Sequence, residues 1–562
     1  MAAAVFIYGP ALSAPFFFSD DAALVFSPAL QAPVDWRSLA TLFTPAARPE
    51  YYPIRDLSYM LDLHVLGGDP SAFRAHSLAL HFLNSWLITR ILRHFGVSSL
   101  LAALFGGAWC LWPAQAETVV WISSRRDLLA LFFTLLSVLS YLRYQRTGSA
   151  RFGALALLCF FLGLLGKVTY GLLPGSFILW CVLTRRRTDR WAIAAAVLGV
   201  FWLAWQAQFI SSVHRNSISL PLLLRWQLSL AALGRMAAGL VHAKWIALDV
   251  ETAGAWWLTG KRFFTFLGGG IWIAWMGGAW YAWRRARDGL LLALFLAVAA
   301  YAIYAGVLTE LKSFYAGRYI VPAFTVLFVA GAVFWARFFR EKSGGAALAL
   351  AAGFLLVAAQ TPRQVALWSS SIGASLHAVS LYPDNIALKS QLLAGFWNAG
   401  MPEQARALAV DIEGRCASQA DVDGVDPCWF FYAHAKRVSE WTNQAPAAAH
   451  FETLLIGSME RRGWHSSRLW KFKRALRTGG GVEEAFRAWD EWQERKVLPE
   501  HRVLHWLGVC FVEGEGVARA VFQDFMSRRL IDKRAVDEAL SEVRRKPPAG
   551  CYESFSGREI HQ

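Results

Sequence analysis

The sequence predicts an all-α, polytopic membrane protein that ends in a helical, repeat-like domain. Three observations carry this. Hydrophobic residues fill 56% of the 562 positions and charged residues only 17%, with 27 Trp and 39 Phe, and the mean hydropathy is +0.35. Too few charges remain to cover a soluble surface of that size. Apolar runs of about 17–25 residues, the length that crosses a bilayer, recur along the first 360 residues. Beyond about residue 361 the long runs stop, and polar helical patterning takes over.

The spans are expected near 2–18, 74–92, 98–112, 127–145, 152–166, 171–184, 191–209, 263–283, 289–306, 319–336 and 345–360. Residues 2–18 are expected to be a retained first span. They lack a basic leader, and Leu-Ser-Ala-Pro at 12–15 is a poor cleavage site. The net charge of +16 is spread in short clusters between apolar runs, which marks cytoplasmic loops and excludes a nucleic-acid surface. Arg90 and Arg93 follow the second span, Arg143, Arg146 and Arg151 the fourth, and Arg185, Arg186, Arg187 and Arg190 the sixth. Arg284, Arg285 and Arg287 follow the eighth, and Arg337, Arg340 and Lys342 the tenth. Placing all five clusters in the cytoplasm gives eleven crossings, an inside N-terminus and an outside C-terminal domain. Residues 223–248 are apolar too, but a crossing there would bury Arg235 near the bilayer centre. With Arg225, His242, Lys244, Trp226 and Trp245, this segment suits a helix in the outer interface.

That topology leaves loops 19–72, 113–126, 210–262 and 307–318 outside, and they hold the polar residues of interest. "FFFSDDAALVF" (16–26) places Asp20 and Asp21 at the outer water boundary, where they either cap a helix or serve chemistry. "WPAQAETVVWISSRRDLLALFF" (112–133) joins Glu117, Arg125, Arg126 and Asp127 in one short loop. These either pair locally or recognise an anionic, phosphate-bearing substrate. "YYPIRDLSYMLDLHVLGGDPSAFRAHSLALHFLN" (51–84), with Arg55, Gly67-Gly68 and Asp69-Pro70, is expected to be a structured loop packed on the membrane. His76 and His81 stand five apart, so one helix would not aim both at one metal. Lys167 in "GKVTYGLLP" and Arg318 in "FYAGRYIVP" sit at outward span ends, snorkelling or functional. P-loop, GxSxG and HExxH patterns are missing.

Cys110, Cys159 and Cys181 lie in apolar runs as small buried residues. Cys416, Cys428, Cys510 and Cys551 lie in the polar part with no zinc-site spacing. In an oxidising compartment they allow two disulfides, with Cys416 and Cys428 closing the short loop "CASQADVDGVDPC". "YPDNIALKSQLLAGFWNAGMPEQARALAVDI" reads as helix, Gly turn, helix, the pattern of a tetratricopeptide-like unit. "RVLHWLGVCFVEGEGVARAVFQDFM" near 502–526 echoes it, and a generic helical domain is the alternative.

Together these motifs resemble the multi-span GT-C glycosyltransferases, most nearly the tetratricopeptide-bearing transmembrane protein O-mannosyltransferases and their bacterial homologues. The span ending in Asp-Asp, the loop "YxP…LSYxLD…GxDP", the following "HxxN", and "PAQAETVVWISSRRDLLALFF", "GKVTYGLLP" and "AGRYIVP" carry the likeness over about residues 5–335. It implies a transmembrane domain at 1–360 and an extracytoplasmic tetratricopeptide-like domain at 361–562, in a bacterial inner membrane with that domain in the periplasm. It implies transfer of a sugar from a polyprenyl-phosphate donor to a hydroxyl, a protein Ser/Thr or else a lipid or surface glycan. Asp20 would be the loop-1 catalytic acid beside Asp21, Glu117 the second-loop acid, and Arg126, Lys167 and Arg318 the ligands of the donor phosphate. Arg55, His81, Asn84 and Asp127 match further motif positions. No metal ligand is assigned, although adjacent acids also suit a divalent cation. Membrane lipids and a protein bound by the C-terminal domain are the implied partners, and nucleic acid is not. Trp112, Val168 and Arg74 depart from the family pattern, which holds His, Glu and His there. Two other classes compete. A transporter would place ionisable groups at mid-membrane and repeat its halves, and this chain does neither; a non-catalytic scaffold would use only the helical C-terminus.

The topology is testable directly. Reporter fusions after residues 146, 188, 286 and 341 should all report cytoplasm; an outside signal after 286 would overturn the interfacial placement of 223–248.

Overall fold

The computed structural model of the chain describes residues 2–15, 21, 25, 28–44, 51–213, 222–246, 250–251, 262–305, 313–338, 352–383, 385–418, 428 and 431–432. The fold is helical. Among the described residues the one strand pairing is a short antiparallel ribbon of Val250–Glu251 with Ser313–Tyr315. Among the described residues, four helical stretches are long and apolar enough to cross a membrane: Ile122–Thr147, Arg190–Ala207, Asp288–Ala305 and Gly317–Phe338. These make the chain a membrane protein. Shorter apolar helices accompany them, among them Ala3–Leu12, Ser99–Cys110, Ala150–Gly166 and Val168–Leu183.

The chain divides into two compact units, Met1–Ala417 and Ser418–Gln562. Helices Thr361–Trp368, Ser371–Leu381, Ile386–Asn398 and Pro402–Ser418 follow the last apolar runs. The first of them packs on the Ala2–Leu12 helix and on the short helix Ala116–Val120. In the second unit the echo at 502–526, with Cys510 and Cys551, lies outside the described residues. Cys416 and Cys428 are each disulfide-bonded.

Local sequence explains the elements nearest the site. The helix Pro53–Leu66 opens on a proline, which fits a first helical turn. It stops at Gly67 and Gly68, with φ +81° and +74°, left-handed values that glycine adopts without strain. Helix Pro70–His94 restarts at once, with Asp69 accepting from the Ser71 N–H at 2.7 Å. It packs against Arg125–Thr147 and Ser99–Cys110. His81 and Asn84 lie in that packing: the His81 Nε2 is 2.9 Å from the Cys110 carbonyl, and the Asn84 amide donates to the Leu128 carbonyl at 3.1 Å.

Helices Leu222–Val241 and Arg262–Arg284 touch backbone to backbone. A methyl on Gly268 would stand 1.9 Å from the Leu230 carbonyl oxygen, and one on Gly234 2.1 Å from that of Phe264. Small residues permit such close crossings. Arg235 is fully buried here. Its guanidinium lies 4.4 Å from the Tyr382 ring centroid, and its Nε donates to the Trp245 carbonyl at 3.3 Å. Protein groups cover this charge, and the helix carries it without placing it in lipid.

Because backbone atoms cannot give way, Gly268→Ala should destabilise the protein by about 1–3 kcal/mol. Thermal unfolding in detergent measures this, with Gly269→Ala, whose methyl would meet nothing, expected to leave the midpoint unchanged.

Candidate functional site

The second loop builds the floor of the site. Residues 113–120 are buried, folded into a turn at Pro113–Gln115 and the helix Ala116–Val120. A second turn, Ile122–Ser124, leads into Arg125–Thr147. Asp21 is completely buried against this loop, its Oδ1 accepting from the Ser123 backbone N–H at 2.9 Å. Asp20 lies outside the described residues. Arg74 holds the chain just beyond the first helix. It is buried, donates to the carbonyls of both Ala14 and Pro15, and its Nε reaches the Val120 carbonyl at 3.1 Å. Arg74 and Asp21 also attract each other electrostatically.

Glu117 is wholly buried and grips Arg318 twice. Oε1 accepts from the guanidinium Nη1, and Oε2 accepts from the Arg318 backbone N–H at 2.9 Å. The guanidinium carbon sits 4.7 Å from the Trp121 ring and 5.1 Å from that of Tyr319. Lys167 lies in the turn after helix Ala150–Gly166. Its Nζ is 2.6 Å from the Asp127 Oδ1 and 5.2 and 5.8 Å from the rings of Tyr304 and Tyr319. Those two tyrosines stack at 4.3 Å, nearly parallel, and the Tyr304 hydroxyl hydrogen-bonds with Thr169. Burial pushes the Lys167 ammonium down to about 8; Asp127 opposes this, and the positive charges of Arg126 and Arg318 add to it. Three cations therefore share one field.

The first loop closes one side. Arg126 lies 5.2 Å from the Tyr52 ring, and Arg55 lies 5.1 Å from the same ring while its Nε pairs with Asp56 at 2.9 Å. Tyr59 donates to the Ile122 carbonyl at 2.7 Å. Burial pushes its phenol up, against the pull of Arg55 and Arg125, and it also feels Asp21 and Arg126. Arg125 has a different task. It pairs with Asp62 at 2.6 Å, donates to the Phe73 carbonyl at 2.6 Å, and lies between the Tyr59 and Phe73 rings. That ties the loop helix to the two long helices.

Of the residues singled out by sequence, Asp21, Glu117, Asp127, Arg55, Arg126, Lys167 and Arg318 gather around the first and second loops. His81 and Asn84 do not; they bond helix backbones. Trp112 packs 4.9 Å from Phe324 and donates to the Leu240 carbonyl at 2.9 Å, so it fills the core. Val168 is buried. Sequence reading gave no site role to Trp121, Tyr304, Tyr319, Thr169, Tyr52 and Tyr59. Tyr319 stands inside "AGRYIVP", but Tyr304 sits in a featureless apolar run. Among the described residues no three His, Cys, Asp or Glu side chains converge on one point. The arrangement can hold an anion among charge-assisted donors, with carboxylates close by.

Lys167 supplies a pH test. Its pKa in the folded chain lies below the ordinary 10.5, so the unfolded chain holds more protons between about 8 and 10.5, and stability rises with pH across that window. The thermal midpoint of the wild type minus that of Lys167→Met should rise from pH 8 to pH 10; a constant difference would contradict the depressed ammonium.

Comparison with protein-family models, with curated proteins and with solved structures finds no match to this chain.

Proposed function

We propose that this chain is a GT-C-type membrane glycosyltransferase that moves a sugar from a polyprenyl-phosphate donor to a hydroxyl, a protein Ser/Thr foremost. One observation supports the reading best. Arg126, Lys167 and Arg318 arise on three separate elements yet share one electrostatic field, beside carboxylates from the first and second loops. Eleven crossings would put this cluster at the outer face of a bacterial inner membrane, with the C-terminal domain in the periplasm presenting an acceptor or binding a partner protein.

The chemistry follows from the charges. A carboxylate takes the proton of the acceptor hydroxyl as its oxygen attacks the anomeric carbon. The bond from that carbon to the phosphate oxygen breaks, and the lipid phosphate leaves with the electron pair. Fixed cations stabilise the departing charge, which is where binding energy accelerates a reaction. Asp21 is fully buried, and its Oδ1 is taken up by the Ser123 backbone N–H. The base role therefore goes to its neighbour Asp20, with Asp21 as the anchor, and Glu117 is the second-loop acid beside Arg318.

Loss of a general base costs about 10²–10⁴-fold in rate. In proteoliposomes carrying labelled polyprenyl-phosphate sugar and a Ser/Thr peptide, Asp20→Asn should lose transfer by that factor while retaining donor binding. Asp21→Asn tests the anchor, and Glu117→Gln should also slow transfer. A folded Asp20→Asn protein that transfers at the wild-type rate overturns the base assignment. A wild-type protein that transfers no polyprenyl-phosphate-linked sugar to peptide, lipid or glycan favours the scaffold reading instead.

A further inference from the structure

We infer that Gly317 is a positioning residue, required so that the buried Glu117 carboxylate can aim the Arg318 guanidinium. The consequence for catalysis rests on the glycosyltransferase reading; the positioning itself does not. Gly317 and Arg318 open the turn Gly317–Ile320, which joins the Ser313–Tyr315 strand to the helix Val321–Phe338. Glu117 reaches them from 201 residues away. One of its oxygens holds the guanidinium and the other holds the backbone N–H of the same residue, so Arg318 is gripped at its side-chain tip and at its backbone. A carboxylate can lie that close to the backbone only where no side chain intervenes. A methyl on residue 317 would stand 2.8 Å from the Glu117 Oε2 and 3.1 Å from a methyl of Ile246.

The constraint is close approach, not backbone conformation. Gly317 is not among the glycines with positive φ, so alanine is allowed there by the chain itself. The obstructing atom is the tip of a flexible side chain, so the cheapest relief is to move the carboxylate. The helices stay in place. Arg318 then loses the grip that sets its angle between Trp121 and Tyr319.

The test uses the full chain in detergent with Gly317→Ala. An arginine-selective dicarbonyl reagent followed by peptide mass spectrometry reads exposure of Arg318, with the buried Arg125 as internal control. Arg318 should be protected in wild type and modified in Gly317→Ala, with Arg125 protected in both and the thermal midpoint unchanged. Modification of both arginines would mean general loosening, and protection of both would mean no displacement; either overturns the inference. In the transfer assay, misplacement by about 1 Å costs on the order of 10²-fold, so Gly317→Ala should lower kcat by about that factor with a smaller change in KM. If the wild type has no transferase activity, the functional reading fails while the labelling result still decides the positioning.

Discussion

An apolar chain that carries ionised side chains in its interior must supply a partner for each of them. Removing an ion from water costs several kcal/mol even after relaxation, and an unpaired buried charge is more destabilising than a pair. Among the described residues this requirement links elements that are remote in sequence. Glu117 binds Arg318 across 201 residues, Lys167 binds Asp127 across 40, and Arg125 joins Asp62 of the loop helix. The second loop stands at the centre of all three pairs, and its path is set by them as much as by its own turns. The polar cluster and the packing of helices Pro53–Leu66, Pro70–His94 and Arg125–Thr147 thus follow from one constraint.

Aromatic rings complete what the carboxylates begin. Each clustered cation lies near a ring face: Arg318 by Trp121, Lys167 by Tyr304, Arg126 by Tyr52. A cation over a ring in a desolvated place gains roughly 2 kcal/mol, and the ring restricts where the charge can point. The platform extends beyond the membrane helices, because Trp121 stacks on Trp368 at 5.9 Å. Helix Thr361–Trp368 is itself pinned near the site. Gln360 accepts from the Ala243 N–H at 2.9 Å, and Gln364 donates to the Ala243 carbonyl at 2.9 Å. Segments that follow the last apolar run therefore help to shape the site's underside.

Arg74, Trp112 and Val168 find different physical uses. Arg74 fastens the chain just after the first helix to the second loop. Trp112 and Val168 serve packing, the first within an aromatic group with Phe324, Phe328 and Phe354. In this chain the polar work is concentrated in Glu117, Asp127, Lys167 and the arginines.

Much of the local structure was legible from sequence, because hydropathy, helix caps and glycine stops act over a few residues. The apolar runs and the ordered stretch that carries Arg55, Gly67-Gly68 and Asp69-Pro70 belong to that class. So does the list of candidate charges, since ionisable residues beside apolar runs stand out by type alone. Which charges meet was not legible. Glu117 as the grip on Arg318, the Tyr304–Tyr319 stack beneath Lys167, and the structural duty of Arg125, His81 and Asn84 depend on contacts between distant helices, which no short pattern encodes. The close approach at Gly317 is of the same kind: a glycine in "AGRYIVP" reads as a turn residue until the fold brings a carboxylate against it. By itself the sequence determined an all-helical membrane chain and its stock of polar side chains. The tertiary structure decided their pairing, because a buried charge is satisfied by whichever group packing delivers to it.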